Sequence, residues 1–228
     1  AEGISIIDVG GKDEVDIMYS LCRSIGIDAK AIVDLDALLE GKIRQTIGKN
    51  EKSTKYLASK GQDDLISMIG QLQSLLTEIA NALEKIDNNM SDDSSKEFID
   101  MLNVIKNISG EKVIQAKRRI TLLGLQRIPE EIIEKLGAEY NVQITKAKAL
   151  TSYALRCFEI AGVFILQNGE MENCYLTYNE NQYSIADSKK TEYFLTEYNF
   201  ISELSKEDLE EKYPLIIEML DKICSVTN

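Results

Sequence analysis

Two aspartates separated by one residue stand where the sequence predicts the end of a strand. The run from Ala29 to Val33 is short and mostly apolar, and Asp34-Leu35-Asp36 follows it directly. Carboxylates at a strand end point near one spot, and their hard oxygens suit Mg²⁺ or Mn²⁺, which keep positions open for water and phosphate. The pattern predicts a metal site with Asp34 and Asp36 as ligands. The alternative is an ordinary turn, in which aspartate is common.

The composition of the chain excludes several kinds of catalytic and metal site. The 228 residues include no histidine, which removes Ser-His triads, histidine zinc sites and imidazole bases. Four cysteines form no Cys-x-x-Cys pair and no apolar run reaches membrane-spanning length, which fits a reduced, cytoplasmic protein away from membranes. With 38 acidic and 26 basic residues the net charge is −12. Phosphate binding therefore needs a metal ion, a local basic patch or another chain.

The strand before the two aspartates belongs to a predicted β-α-β unit. Residues 4–9 form an apolar run of strand length, and a helical pattern over residues 12–23 ends at Gly26. A strand, a helix and a second strand over this length imply parallel strands with a right-handed crossover. Function in such sheets gathers at the carboxyl ends of the strands, which is where the two aspartates stand.

Helical patterns fill the middle of the chain. From about Glu51 to Glu159 apolar residues recur at helical spacing, with polar breaks between successive helices. A further strand candidate runs from Ala161 to Leu166, and the carboxylate-bearing turn Gly169-Glu170-Met171-Glu172 follows it. We therefore expect an α/β fold, a parallel Rossmann-like sheet with a large helical insertion. The expected divisions are a first part of the core at 1–48, the insertion at 49–159 and the remainder of the core at 160–228.

These motifs resemble the TOPRIM domain of OLD-family (overcoming lysogenization defect) endonucleases. In that family a strand ending in Val-Gly-Gly-Lys precedes a helix, a Gly-containing turn and an Asp-x-Asp strand. Here the matching residues run from Ile4 to Lys12, from Ile25 to Ile27 and from Ala31 to Asp36. The strand at 163–166 with the turn at 169–173 is similar to the family's later strand and its Gly-Glu-Leu-Glu-like turn. A helical insertion between the halves also fits, so the resemblance implies a TOPRIM-like core.

The resemblance implies DNA cleavage by two-metal hydrolysis with Mg²⁺ or Mn²⁺. Asp34 and Asp36 match the metal-binding aspartates of the family, and Glu172, with Glu170 second, matches its downstream acidic position. A basic residue near the end of such domains assists phosphate chemistry, and Lys189 or Lys190 is the candidate for that role, with Lys190 preferred. A solvated first helical turn is the alternative interpretation of this lysine.

TOPRIM domains also carry a glutamate at the end of their first strand, followed by glycine. Glu2-Gly3 has this pair without a preceding strand, so we interpret it as a chance match. The resemblance then implies that the true first strand lies upstream, together with the ABC-type ATPase domain that OLD proteins carry N-terminally. The chain is expected to be a C-terminal fragment that is incomplete as a nuclease by itself. Family association implies phage defence as the role of the parent protein.

Basic residues supply the expected DNA track, and several of them follow the Asp-x-Asp turn. The candidates are Lys12, Lys42, Arg44 and Lys49, with Lys52, Lys55 and Lys60 beyond them. Phosphate contacts of this kind make DNA binding salt-dependent. A solvated helix face in an acidic chain is the alternative, and we favour that alternative for Lys117, Arg118 and Arg119.

Two further functions stay open at this point. A non-catalytic TOPRIM-like scaffold, whose helical insertion mediates dimerisation or partner binding, need not bind Mn²⁺, whereas a nuclease module must. A receiver-type phosphotransfer domain also has an acidic pocket, but receivers are compact and the long insertion argues against one. The sequence does not fix the preferred metal, the DNA preference or the oligomeric state, a homodimer included.

Overall fold

The computed structural model describes residues 12–86, 96–110, 112–167, 169 and 187–225. This part of the chain contains twelve α-helices, a short 3₁₀ helix (Leu125–Arg127) and one pair of short strands. The helices are α1 (Lys12–Ser24), α2 (Asp36–Leu39), α3 (Ile43–Gly48), α4 (Glu51–Ser59), α5 (Leu65–Leu83), α6 (Lys96–Asn107), α7 (Val113–Gly124), α8 (Glu130–Leu136), α9 (Ala138–Ile160), α10 (Asp187–Ser202), α11 (Lys206–Lys212) and α12 (Pro214–Ser225). The strands are β1 (Ala31–Val33) and β2 (Val163–Ile165).

The two strands pair in parallel across the whole helical stretch. Ala31 lies opposite Val163 and Val33 lies opposite Ile165. Beyond the last pair, the backbone N–H of Leu166 donates to the carbonyl of Val33 at 2.9 Å. A parallel pair with helices between its strands is compatible with the predicted α/β class. The predicted strand at residues 4–9 lies outside the described residues, so a complete TOPRIM-like core stays a prediction.

Helix α1 carries the predicted pattern and ends at the predicted glycine. Gly26 has a φ of +82°, a conformation that glycine adopts without a steric penalty, and the N–H of Ile27 donates to the carbonyl of Cys22 at 2.9 Å. The buried hydroxyl of Tyr19 donates to the carbonyl of Ala161, which follows α9 directly. This bond fixes α1 to the turn that leads from α9 into β2.

Helices α5 and α9 form the centre of the buried core. Leu72, Leu76 and Ile79 of α5 are fully buried, and so are Ala154 and Phe158 of α9. The same buried cluster includes residues of α1, β1 and β2, so the strands and the central helices share one core. Burial of each large aliphatic side chain contributes about 1.5–3 kcal/mol, and this packing holds the short strands in register. The division at residues 48 and 159 stays a prediction.

Helix α11 begins at a capping motif formed by Ser205 and Asp208. The Ser205 hydroxyl accepts from the N–H of Asp208 at 3.1 Å, and the Asp208 carboxylate accepts from the N–H of Ser205 at 3.3 Å. Tyr213, between α11 and α12, donates its buried hydroxyl to the carboxylate of Glu197 on α10. Glu197 is only 1% exposed, so this bond satisfies a carboxylate that water hardly reaches. None of the described helices is long and apolar enough to cross a membrane.

We expect Tyr213→Phe to lower the free energy of unfolding at pH 7 by about 1–3 kcal/mol, because Glu197 loses its buried donor. Burial, and then the bond to Glu197, raise the pKa of Tyr213. An unfolded tyrosine ionises near pH 10, whereas the folded one keeps its proton. The contribution is therefore complete below about pH 10 and declines as the pH rises above that value. Urea unfolding between pH 7 and pH 11 measures both effects.

The matched control for this variant is Tyr198→Phe, at an exposed tyrosine of α10, the helix that carries Glu197. Tyr198→Phe should leave stability at pH 7 unchanged. If both variants give the same unfolding curve at pH 7, the buried bond between Tyr213 and Glu197 contributes nothing measurable.

Candidate metal centre at the strand ends

The turns that follow β1 and β2 lie side by side. The N–H of Leu35, in the turn after β1, donates to the carbonyl of Gly169 at 2.8 Å. The N–H of Gly169 in turn donates to the carbonyl of Leu166 at 3.1 Å, which closes the turn after β2. Gly169 is buried and has a φ of +106°, a backbone conformation that suits glycine. The carboxyl ends of the two parallel strands therefore form one edge, as the Asp-x-Asp interpretation requires.

Asp34 and Asp36 both lie at this edge and are half-buried. Asp34 directly follows β1, and its carbonyl accepts from the N–H of Ala37 at 3.1 Å. Asp36 is the first residue of α2, where a negative charge suits the positive end of the helix. Both aspartates interact with other groups of the chain. The side chains that follow them in α2 are buried, so α2 is held against the core while Asp36 stays partly accessible.

Glu170 and Glu172, the other two predicted ligands, lie outside the described residues. Gly169, which touches the Asp34-Leu35-Asp36 turn, is the residue immediately before Glu170. Among the described residues, no group of three carboxylate, cysteine or histidine side chains is placed to hold a metal ion. The described part contributes two of the four predicted ligands. Their hard oxygen donors fit Mg²⁺ or Mn²⁺, and the complete ligand set stays a prediction.

The predicted DNA-binding cations fall into two groups. Lys42 and Lys49 flank α3 and are exposed, so the segment that follows Asp36 carries accessible positive charge. Arg44 is half-buried, and its guanidinium donates to the carbonyls of Leu39 at 2.5 Å and Gly41 at 3.1 Å. Burial lowers the pKa of Arg44, with Glu40 acting in the opposite direction. Part of its donor capacity is therefore used inside the protein.

The side chains of Lys12 and Lys190 lie outside the described part of the structure. Their backbones belong to α1 and α10 respectively. The proposed roles of both lysines in phosphate binding stay predictions.

The second basic cluster on α7 makes contacts within the protein. Lys117 forms an ion pair with Glu84, and the Arg118 Nε donates to the Thr77 hydroxyl of α5 at 2.7 Å. Arg119 also interacts with another group of the chain. These contacts hold α7 against α5. The interpretation of this cluster as a solvated helix face rather than a DNA track stays a prediction.

A groove of about 580 Å³ runs along β2 between α9 and α12. Its floor includes Phe164, Ile165 and Met219, which are apolar. The cations at its rim are paired with carboxylates, Arg156 with Glu159 at 2.5 Å and Lys222 with Glu218 at 2.7 Å. Paired charges over an apolar floor are unsuited to a phosphate backbone, so this groove is not a candidate for the DNA track.

Sequence reasoning missed one polar contact beside the candidate site. Gln73 of α5 donates its side-chain amide to the carbonyl of Leu39 at 2.7 Å. The signal that was available is a half-buried glutamine immediately after the buried Leu72 of α5. Sequence alone does not show which carbonyl such a side chain reaches.

The family model described as the overcoming lysogenization defect protein-like TOPRIM domain matches residues 1–36. The match covers α1, β1 and the turn with both aspartates, and it ends at Asp36. It supports the resemblance over this segment, which is less than half of the chain. At the level of the family it suggests a nuclease-type module that binds divalent metal. No curated protein and no solved structure matches the chain.

Proposed function

We propose that this chain is the metal-dependent DNA endonuclease module of an OLD-family ATPase-nuclease. The observation that carries the proposal is the bond between the Leu35 N–H and the Gly169 carbonyl, at 2.8 Å. It brings the turn with Asp34 and Asp36 against the turn that leads directly into Glu170 and Glu172. The family match over residues 1–36 independently covers the first of these turns.

The proposed reaction is hydrolysis of a DNA phosphodiester bond. A water oxygen forms a bond to phosphorus, the bond from phosphorus to the leaving oxygen breaks, and that oxygen takes up a proton. A divalent cation, when bound, activates the water and neutralises the charge that develops on phosphate. Asp34 and Asp36, with Glu170 and Glu172, hold the cation in this proposal. Lys190 neutralises charge on the phosphate.

The proposed substrate track lies on the segment that follows the aspartates. Lys42 and Lys49 are exposed on either side of α3, and they contact the DNA backbone together with Lys12 and the remaining donors of Arg44. These few cations act within a chain of net charge −12, so DNA binding depends on the bound metal and weakens steeply with salt. By the same resemblance, an ABC-type ATPase domain of the parent chain is the proposed protein partner.

Calorimetric titration with Mn²⁺ tests the proposal on the chain as it stands. We expect the 228-residue chain to bind Mn²⁺ and to become more stable. Mn²⁺ at about 100 times its dissociation constant should add roughly 2.7 kcal/mol to the free energy of unfolding. Binding of a labelled DNA duplex should then require Mn²⁺ and should decline linearly in log–log form with salt.

Two results would contradict the proposal. Absence of Mn²⁺ binding at millimolar concentration would show that Asp34 and Asp36 hold no cation in this chain, which removes the basis of the proposal. A chain that binds Mn²⁺ but shows no Mn²⁺-dependent affinity for DNA would instead favour the non-catalytic scaffold.

A further inference from the structure

The last carbonyl of α2 is held by two side chains from different helices. Leu39 is buried, and a carbonyl at a helix end has no partner within the helix itself. Gln73 Nε2 of α5 donates to the Leu39 carbonyl at 2.7 Å, and Arg44 Nη1 of α3 donates to it at 2.5 Å. Arg44 Nε also donates to the neighbouring carbonyl of Gly41 at 3.1 Å. The three donors together form what we call the α2 clamp.

The α2 clamp is built on elements that are well anchored. Gln73 follows Leu72, which has no exposed surface, on the long central helix α5. Arg44 follows Ile43, which is equally buried, on α3. Helix α3 is further fixed to α1 by a bond from the Thr46 hydroxyl to the Asp16 carboxylate at 2.6 Å. The Leu39 carbonyl thus accepts from side chains of two helices, α3 and α5, that are themselves anchored in the core.

Helix α2 has a single turn, so its two ends cannot move independently. Asp36 is its first residue and Leu39 its last, and the N–H of Glu40 donates to the carbonyl of Asp36 at 2.8 Å. A shift of the Leu39 carbonyl is therefore transmitted within one turn to the backbone of Asp36. The carboxylate of Asp36 follows that backbone.

We infer that Gln73 and Arg44 are positioning residues for Asp36 and thereby set the affinity of the strand-end site for a divalent cation. The inference rests on the proposed function of Asp34 and Asp36. Metal–oxygen distances in Mg²⁺ and Mn²⁺ sites vary little, so a ligand that is displaced slightly binds much more weakly. Neither Gln73 nor Arg44 contacts the cation. Both act through the backbone of α2.

Gln73 gives the cleaner test of the two, because its removal changes no charge. Loss of Arg44 also removes a cation near the site, which favours metal binding and opposes the loss of position. Gln73→Met keeps the length of the side chain and removes the donor. Its matched control is Gln71→Met, at an exposed glutamine of the same helix.

The measurements are calorimetric titration of the full chain with Mn²⁺ and amide hydrogen exchange without metal. We expect Gln73→Met to bind Mn²⁺ about 10-fold more weakly than wild type, the lower end of the range for partners that orient a metal ligand. Exchange at the amides of Leu35 and Glu40 should be faster, because both belong to the turn that the α2 clamp holds. Gln71→Met should match wild type in both measurements.

Arg44→Lys is a second variant that keeps the charge and reaches only one of the two carbonyls. It should weaken Mn²⁺ binding several-fold, and it keeps the inference testable if Gln73→Met does not fold. Wild-type affinity for Mn²⁺ in Gln73→Met or in a folded Arg44→Lys variant would overturn the inference alone. A wild-type chain that does not bind Mn²⁺ would overturn the proposed function, and this inference with it.

Discussion

An Asp34→Asn/Asp36→Asn double variant should bind Mn²⁺ at least about 100-fold more weakly than wild type. Each substitution keeps the size of the side chain and removes a carboxylate charge from the edge where β1 ends. Partners that only orient a metal ligand already cost 10–100-fold when removed, so loss of two ligands should reach the upper end of that range or exceed it. Calorimetric titration of the full chain with Mn²⁺ measures the change.

The control for this variant neutralises two exposed aspartates elsewhere, Asp63 after α4 and Asp221 of α12. Asp63→Asn/Asp221→Asn alters the net charge by the same amount, so it separates ligation from bulk electrostatics. Equal Mn²⁺ affinity in both double variants would remove Asp34 and Asp36 from the metal site. In a parent protein that cleaves DNA, undiminished cleavage with Asp34→Ala/Asp36→Ala would end the nuclease proposal as well.

Phe158→Ala should lower the free energy of unfolding by about 3–5 kcal/mol. Phe158 is the largest side chain without exposed surface among the described residues, and it lies in the last turn of α9, directly before β2. Its removal leaves a cavity between the central helices and the strand. Urea denaturation followed by circular dichroism measures the loss.

Phe158→Leu is the graded control for this prediction. Leucine keeps most of the buried volume, so the expected loss is about 1–1.5 kcal/mol. A loss below about 1 kcal/mol in Phe158→Ala would show that the end of α9 repacks around the gap.

Where local patterns dictate structure, the sequence predicted the helices well. The apolar residues that recur at helical spacing in residues 65–83 coincide with α5, and Pro129 and Gly137 directly flank α8. Gly137 has a φ of +91°, so its role as a helix terminator comes from backbone freedom that other residues lack. Spacing and turn chemistry act over a few residues, which is why they can be read without a structure.

Strand limits were harder to predict than helix limits. The predicted strands at 29–33 and 161–166 are observed as the shorter β1 and β2. Ala161 and Gly162 form the turn after α9, with Gly162 at a φ of +81°, so they lead into β2 rather than belong to it. Strand length depends on what pairs alongside, and that information lies elsewhere in the chain.

The candidate site shows the same contrast between features set by local sequence and features set by distant contacts. The position of Asp34 and Asp36 at a strand end could be predicted, because it follows from a local apolar run and its end. The contact of Leu35 with Gly169, and the roles of Gln73 and Arg44 at the Leu39 carbonyl, could not be predicted. They depend on which distant segments the core brings together. The sequence therefore indicates the proposed ligands but not the groups that we infer to orient them.

The parallel register of β1 with β2 also bears on how the protein is made. The ribosome releases β1 before its partner strand, which emerges only after all of the helices from α2 to α9. Contacts between segments so distant form late, because the loop between them must close first. During translation, a nascent chain holds the two aspartates without the second strand end. The proposed metal site can be completed only when synthesis of the helical stretch has finished.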